Sequence, residues 1–147
     1  MAEAPENALM KTLLADSAVS TLIGTRLYPG QAPEKTKFPY GIYEASGWEH
    51  EGNMSSASGL TQGEVEVHWY SRKRSEAINM ADAAREALDG FPRGTVTVDG
   101  TAVVVEAIRL RETTKGVIPP PLASSVPIHF VTQEYWMATE ESIPTFS

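Results

Sequence analysis

The chain has no cysteine. That excludes disulfides and thiolate metal sites and permits a reducing compartment. Positive charge is scarce: 12 lysines and arginines stand against 19 aspartates and glutamates, a net charge of −7. A protein that grips nucleic acid through its phosphates needs a basic face. Arg72-Lys73-Arg74 is the one dense basic cluster, and it reads as a solvated corner between a strand and a helix, or as a partner contact. No apolar run approaches the ~20 residues of a membrane-crossing helix. The first residues, Met1 to Glu6, lack the basic-then-apolar order of a signal peptide. The expectation is a protein without a membrane role, working in cytosol or in something assembled there. P-loop, G-x-S-x-G and G-x-G-x-x-G patterns are also missing, and with them the commonest nucleotide and hydrolase signatures.

What is present is the composition of a globular protein, 41% hydrophobic and 21% charged, and 147 residues suit one domain over 1–147. Pro5 and Glu6 suit the first turn of a helix over 5–15, with Leu9, Leu13 and Leu14 near one face. Asp16 can cap a second helix over 17–23, with Val19, Leu22 and Ile23 inward and Gly24 as its stop. Residues 29–37 read as a loop. Tyr40–Glu49 reads as a strand with imperfect alternation, and the Gly- and Ser-rich segment 51–59 as a flexible hairpin loop or an arm. Val65, Val67 and Trp69 alternate with Glu64, Glu66, His68 and Tyr70, a strand with one wet face, and Trp69 belongs in the core.

Ser75–Leu88 carries an apolar stripe through Ile78, Ala81, Arg85 and Leu88, with Met80, Ala84 and Ala87 beside it, and Gly90 lies just past its end. Thr95–Val98, Asp99-Gly100 and Thr101–Ile108 form a hairpin signal. Residues 113–127 hold Gly116 and Pro119-Pro120-Pro121 and read as a long loop. Ile128–Ala138 is a last strand, followed by a loose acidic tail over about 141–147. This order predicts an α+β fold: a mostly antiparallel sheet packed against one long helix and short N-terminal helices.

Chemistry is thinly represented. His50, His68 and His129 lack the spacing of a helical metal motif, although three strand histidines could converge in space. Glu64 and Glu66 are neighbours on one strand face, with Glu44 able to join them from a paired strand. With His68, Glu64 and Glu66 could serve a small metal-dependent hydrolase. The plainer reading is a solvated sheet face, or one covered by a basic partner. The serines of 51–59 have no held base beside them. No catalytic residue, cofactor or metal site is expected.

With the elements in this order, the chain resembles the tail terminator, or tail-completion, proteins of long-tailed bacteriophages. The matching residues are Leu14-Ala15-Asp16-Ser17-Ala18-Val19 running into Leu22 to Pro29, then Phe38 to Tyr43, Gly63–Ser71, Ala84 to Gly90, and a closing strand like Ile128–Trp136. The resemblance spans roughly 9–138; the segment 113–127 and the tail depart from it. It implies a non-enzymatic structural virion protein, assembled in the host cytoplasm. Such a protein forms a homo-oligomeric ring, commonly a hexamer, on the head-proximal end of the tail tube. Its partners would be the tube protein and the head connector or stopper protein, with double-stranded DNA passing through the lumen unbound. A head-completion or stopper protein of the neck is the alternative. On this reading Arg26, Trp48, Met54, Pro119, Pro120 and Pro121 are candidate subunit or partner contacts. Glu49, Glu51, Glu64 and Glu66 are candidates to face the lumen or a neighbour.

Overall fold

The computed structural model describes residues 5–52, 57–98, 100–119 and 126–140. Helices α1 (Pro5–Ala15) and α2 (Ser17–Ile23) are followed by strands β1 (Leu27–Pro29), β2 (Tyr40–Gly52) and β3 (Ala57–Ser71). Helix α3 (Arg74–Leu88) and strands β4 (Gly94–Val98), β5 (Thr101–Ile118) and β6 (Ile128–Glu140) complete the chain. The strands form one six-stranded sheet in the order β1-β2-β3-β6-β5-β4, antiparallel except for the β1–β2 pair. The fold is mixed α/β with three helices. The single long helix expected from sequence is absent: α3 has 15 residues and α1 has 11, so three helices of ordinary length share the covering of the sheet.

Local chemistry sets the boundaries. Oδ1 of Asp16 accepts from the N–H groups of Ala18 and Val19 at 3.0 and 3.2 Å, which satisfies two of the free donors that open a helix. Gly24, at φ +62°, ends α2 in a conformation that a side chain would strain. Arg26 and Leu27 then enter β1, a three-residue strand that the turn-rich sequence around it hides. The Arg26 carbonyl accepts from Gly41 N–H at 2.9 Å, and Leu27 is buried.

The core lies between the helices and one face of the sheet. Val65, Val67 and Trp69 of β3, Val131, Gln133, Tyr135 and Met137 of β6, and Val105 and Ile108 of β5 are buried there. Against them α3 buries Ala77, Met80, Ala81, Ala84 and Leu88. The helix stripe is therefore rotated from the sequence reading: Arg85 faces solvent, and Ala77 takes its place inside. The alanines let α3 approach closely enough for the Ala81 carbonyl to accept from Nε2 of Gln133 at 2.9 Å. Gln133 is also the acceptor for Trp69 Nε1–H and the Tyr135 hydroxyl, each at 3.0 Å. Burial pushes the Tyr135 phenol well above its ordinary range, so it stays a donor to Gln133.

Two expected loops are corrected. The strand β5 does not stop at Ile108. It runs to Ile118, with Thr113–Ile118 paired to β6 between Gln133 and Ile128. Gly116 is what allows this pairing, because a Cβ there would overlap the ring of Phe130, which lies across it. Likewise β2 and β3 extend into the 51–59 segment, where Gly52 is partnered with Ala57. The remainder of both segments, 53–56 and 120–125, and the tail 141–147 lie outside the described residues.

Candidate functional site

The three helices lie on the core side of the sheet; on the other face, the described side chains of β2, β3, β6 and β5 are half-buried or exposed, apart from buried Ala138. Register arranges them in rows across four strands. Tyr40, Tyr70, Phe130 and Gly116 form one row, with ring centroids 5.3 Å apart for Tyr40–Tyr70 and 6.4 Å for Tyr70–Phe130. Burial raises the phenol pKa of both tyrosines, and Tyr40 and then Glu44 add to the effect at Tyr70. Ile42, His68, Thr132 and Thr114 form the next row. The row after that is Glu44, Glu66, Glu134 and Glu112, four glutamates directly opposite one another.

A bulge makes the fourth glutamate possible. Between Leu110 and Glu112 the ladder gains an extra residue, Arg111. The alternation flips there, placing Glu112 on the uncovered face instead of in the core. Nη1 of Arg111 reaches Oε1 of Glu64 at 2.7 Å. The Glu64 carboxyl also lies where it can share a hydrogen bond with protonated Glu134. That bond, then desolvation and the nearby Glu64, Glu112 and Glu66 charges, raises the Glu134 carboxyl pKa above its ordinary value of 4.5.

A raised pKa in the folded state means that folding favours the protonated carboxyl, so stability declines as pH rises through it. Glu134→Gln is therefore expected to stabilise the protein at pH 7 by about 0.5 kcal/mol, the usual scale of a like-charge cross-strand pair. The gain should vanish below pH 4, where the wild-type group is already protonated. Thermal melts of both proteins at the two pH values check this.

His68 sits at the edge of the acidic row. Its Nδ1 is 2.9 Å from Oγ1 of Thr132, and its Nε2 lies 3.4 Å from Glu44 and 3.5 Å from Glu66. These three residues offer ligand atoms within 4.8 Å of one another, a spacing that also describes a histidine hydrogen-bonded between two carboxylates. The sequence-based trio is thus altered: Glu44 joins Glu66 and His68, while Glu64 turns to Arg111. His129 pairs with Ser71 in register, away from His68, and the side chain of His50 lies outside the described residues.

The other sequence candidates are scattered. Nε of Arg26 donates to the Pro39 carbonyl at 2.9 Å, tying the end of α2 to the start of β2. Trp48, Glu49 and Glu51 lie in β2 in register with Gly63, Gln62 and Leu60; their side chains lie outside the described residues. Pro119 is exposed just after β5. Met54, Pro120 and Pro121 lie outside the described residues. Sequence reading missed Glu112 and Glu134 and the aromatic row. The alternation of Phe130, Thr132, Glu134 and Trp136 in β6 was the available signal, but only strand order and the Arg111 bulge bring these residues to Glu66 and Tyr70.

A family model described as tail completion protein gp17 matches residues 7–114 of this chain. The chain belongs to the tail completion family. The match runs from α1 into β5 and makes the protein a structural, tail-associated virion component of the bacteriophage kind. Among solved structures, the chain is similar to one from the virion of a native gene transfer agent particle, at 13% identity and a TM-score of 0.63. That similarity covers 93% of this chain and 95% of the other, and so extends the fold likeness through β6. No curated protein sequence matches.

Proposed function

We propose that this tail completion protein is a terminator: a ring, of six copies, that caps the head-proximal end of the tail tube. There it ends polymerisation and presents the docking surface for the head connector or stopper protein. Membership of the tail completion family carries the reading. The fold supports it, because among the described residues helices pack on only one side of the sheet. A ring needs heterologous contacts that close, each burying on the order of 1,200–2,000 Å².

In this ring the row Glu44, Glu66, Glu134 and Glu112, with Glu64 beside it, faces the lumen. Carboxylates there repel phosphate at short range, so double-stranded DNA passes without being held. Arg26, Trp48, Met54 and Pro119 to Pro121 remain candidate contacts at subunit or partner boundaries.

Polymerisation of the purified tube protein tests the function. Added at one ring per growing end, the protein should halt elongation and leave tubes capped at one end. Tubes that lengthen unchecked, with the protein bound instead to DNA-filled heads, would favour a stopper role in the neck.

A further inference from the structure

The two long outer strands of the four-strand core of the sheet are only partly covered. Strand β1 pairs with β2 at Gly41, Ile42 and Tyr43 alone. Among the described residues nothing pairs with the same side of β2 from Glu44 to Gly52. At the other side of the sheet, β4 pairs with β5 only from Thr101 to Val105. Phe91 bridges Ile108, and the Asp89 carboxylate accepts from Leu110 N–H. From Arg111 to Ile118 the outer side of β5 has no backbone partner among the described residues. Open edges of this length expose rows of unpaired N–H and C=O groups, which is the template for strand addition.

We infer that the open edge of β5, residues 111–118, pairs antiparallel with the open edge of β2, residues 44–52, of a second copy of this chain. This rests on the ring reading above and names the contact that closes it. Three observations select the occupant. The segments match in length, nine residues in β2 and eight in β5. They are complementary in charge: Glu44, Glu49 and Glu51 make one acidic, whereas in the other Arg111 and Lys115 outnumber Glu112, with Arg111 already held by Glu64 and Arg74 lining a pocket beside Lys115. They also match in position. Glu44 and Glu112 share a row, and from that row the open part of β2 and the open part of β5 run to opposite ends of the sheet.

A neighbour shifted by about seven residues along the strands, roughly 24 Å at 3.4 Å per residue, brings the two edges side by side. In that arrangement this copy's β1 occupies the space beyond the neighbour's Ile118. The neighbour's β4 lies beyond this copy's Gly52, so the short edge strands do not collide. Val117 and Ile118, 51% and 42% exposed, are carried into the contact. A contact between two different edges is heterologous, and it closes into a ring when the strands tilt from the ring axis enough to absorb this shift.

Hydrogen exchange of the wild-type protein, compared between dilute monomer and assembled ring, reads the pairing directly. Alternate amides of 44–52 and 111–118 should slow at least tenfold on assembly, with the ladder between β3 and β6 unchanged. A second arm uses Thr113→Pro and Thr114→Pro. Consecutive N–H groups of a strand point to opposite sides, so one variant breaks the β6 ladder and the other removes an open-edge donor. The variant that keeps the wild-type melting temperature should stay monomeric. Rings that form without slowing of either segment, or that form from both proline variants, would overturn the pairing and leave the ring standing. A wild-type protein that never assembles, even with tubes, would overturn both.

Discussion

Gln133→Leu is expected to destabilise the protein by about 3–5 kcal/mol, although it replaces a polar side chain in the core with an apolar one of similar size. Gln133 is 2% exposed, and both of its ends are committed: Oε1 to Trp69 and Tyr135, Nε2 to the Ala81 carbonyl. Leucine leaves the indole N–H and the phenol O–H of two fully buried side chains without their acceptor, and each unsatisfied donor costs about 1–3 kcal/mol. The hydrophobic gain of the new side chain is smaller, because the amide's aliphatic stem is already buried. For a chain of this size the loss corresponds to a fall in melting temperature on the order of 10 °C. The mechanism has its own check. In a Trp69→Phe background the indole donor is gone, so the same substitution should cost at least ~1 kcal/mol less. Equal losses in the two backgrounds would show that Gln133 acts through packing alone.

Gly41→Val should be nearly as severe, at about 3 kcal/mol. A Cβ at Gly41 would stand 2.7 Å from Cζ3 of Trp69 and 2.8 Å from Cδ1 of Leu27, closer than carbon atoms approach without displacement. The indole occupies the space that a side chain at residue 41 would fill, and from there its Nε1 reaches Gln133. Valine would push the ring outward and pull it from its acceptor, adding a lost hydrogen bond to the 1–3 kcal/mol typical of an overfilled core. Trp69→Leu opens the space, so Gly41→Val should cost less in that background than in the wild type. Denaturant unfolding of the four proteins measures the coupling, and strict additivity would contradict the steric account.

These two positions also show what the sequence made legible. Trp69 was readable as core from the alternation of Val65 and Val67 with Glu64 and Glu66, and Asp16 and Gly24 marked α2 because caps are local chemistry. Gln133 and Gly41 were not readable, since their roles depend on which strands become neighbours. The same limit explains the site. Glu64 and Glu66 were visible as one face of one strand, whereas Glu44, Glu134 and Glu112 join them only through strand order and an unforeseen bulge at Arg111. The strand over 113–118 was hidden by Gly116 and the prolines after it. Composition there resembles a loop, but the glycine is the seat of the Phe130 ring. The three-residue β1 carried no periodicity to detect and is held by its pairing with β2.

The proposed closed ring at the end of the tail tube is read by native mass spectrometry of the full chain across a wide concentration range, with and without tail tubes. One discrete species of six copies is expected, formed alone at high concentration or released from the tubes. A protein that remains monomeric in both settings, with no copy retained on the tubes, would contradict it.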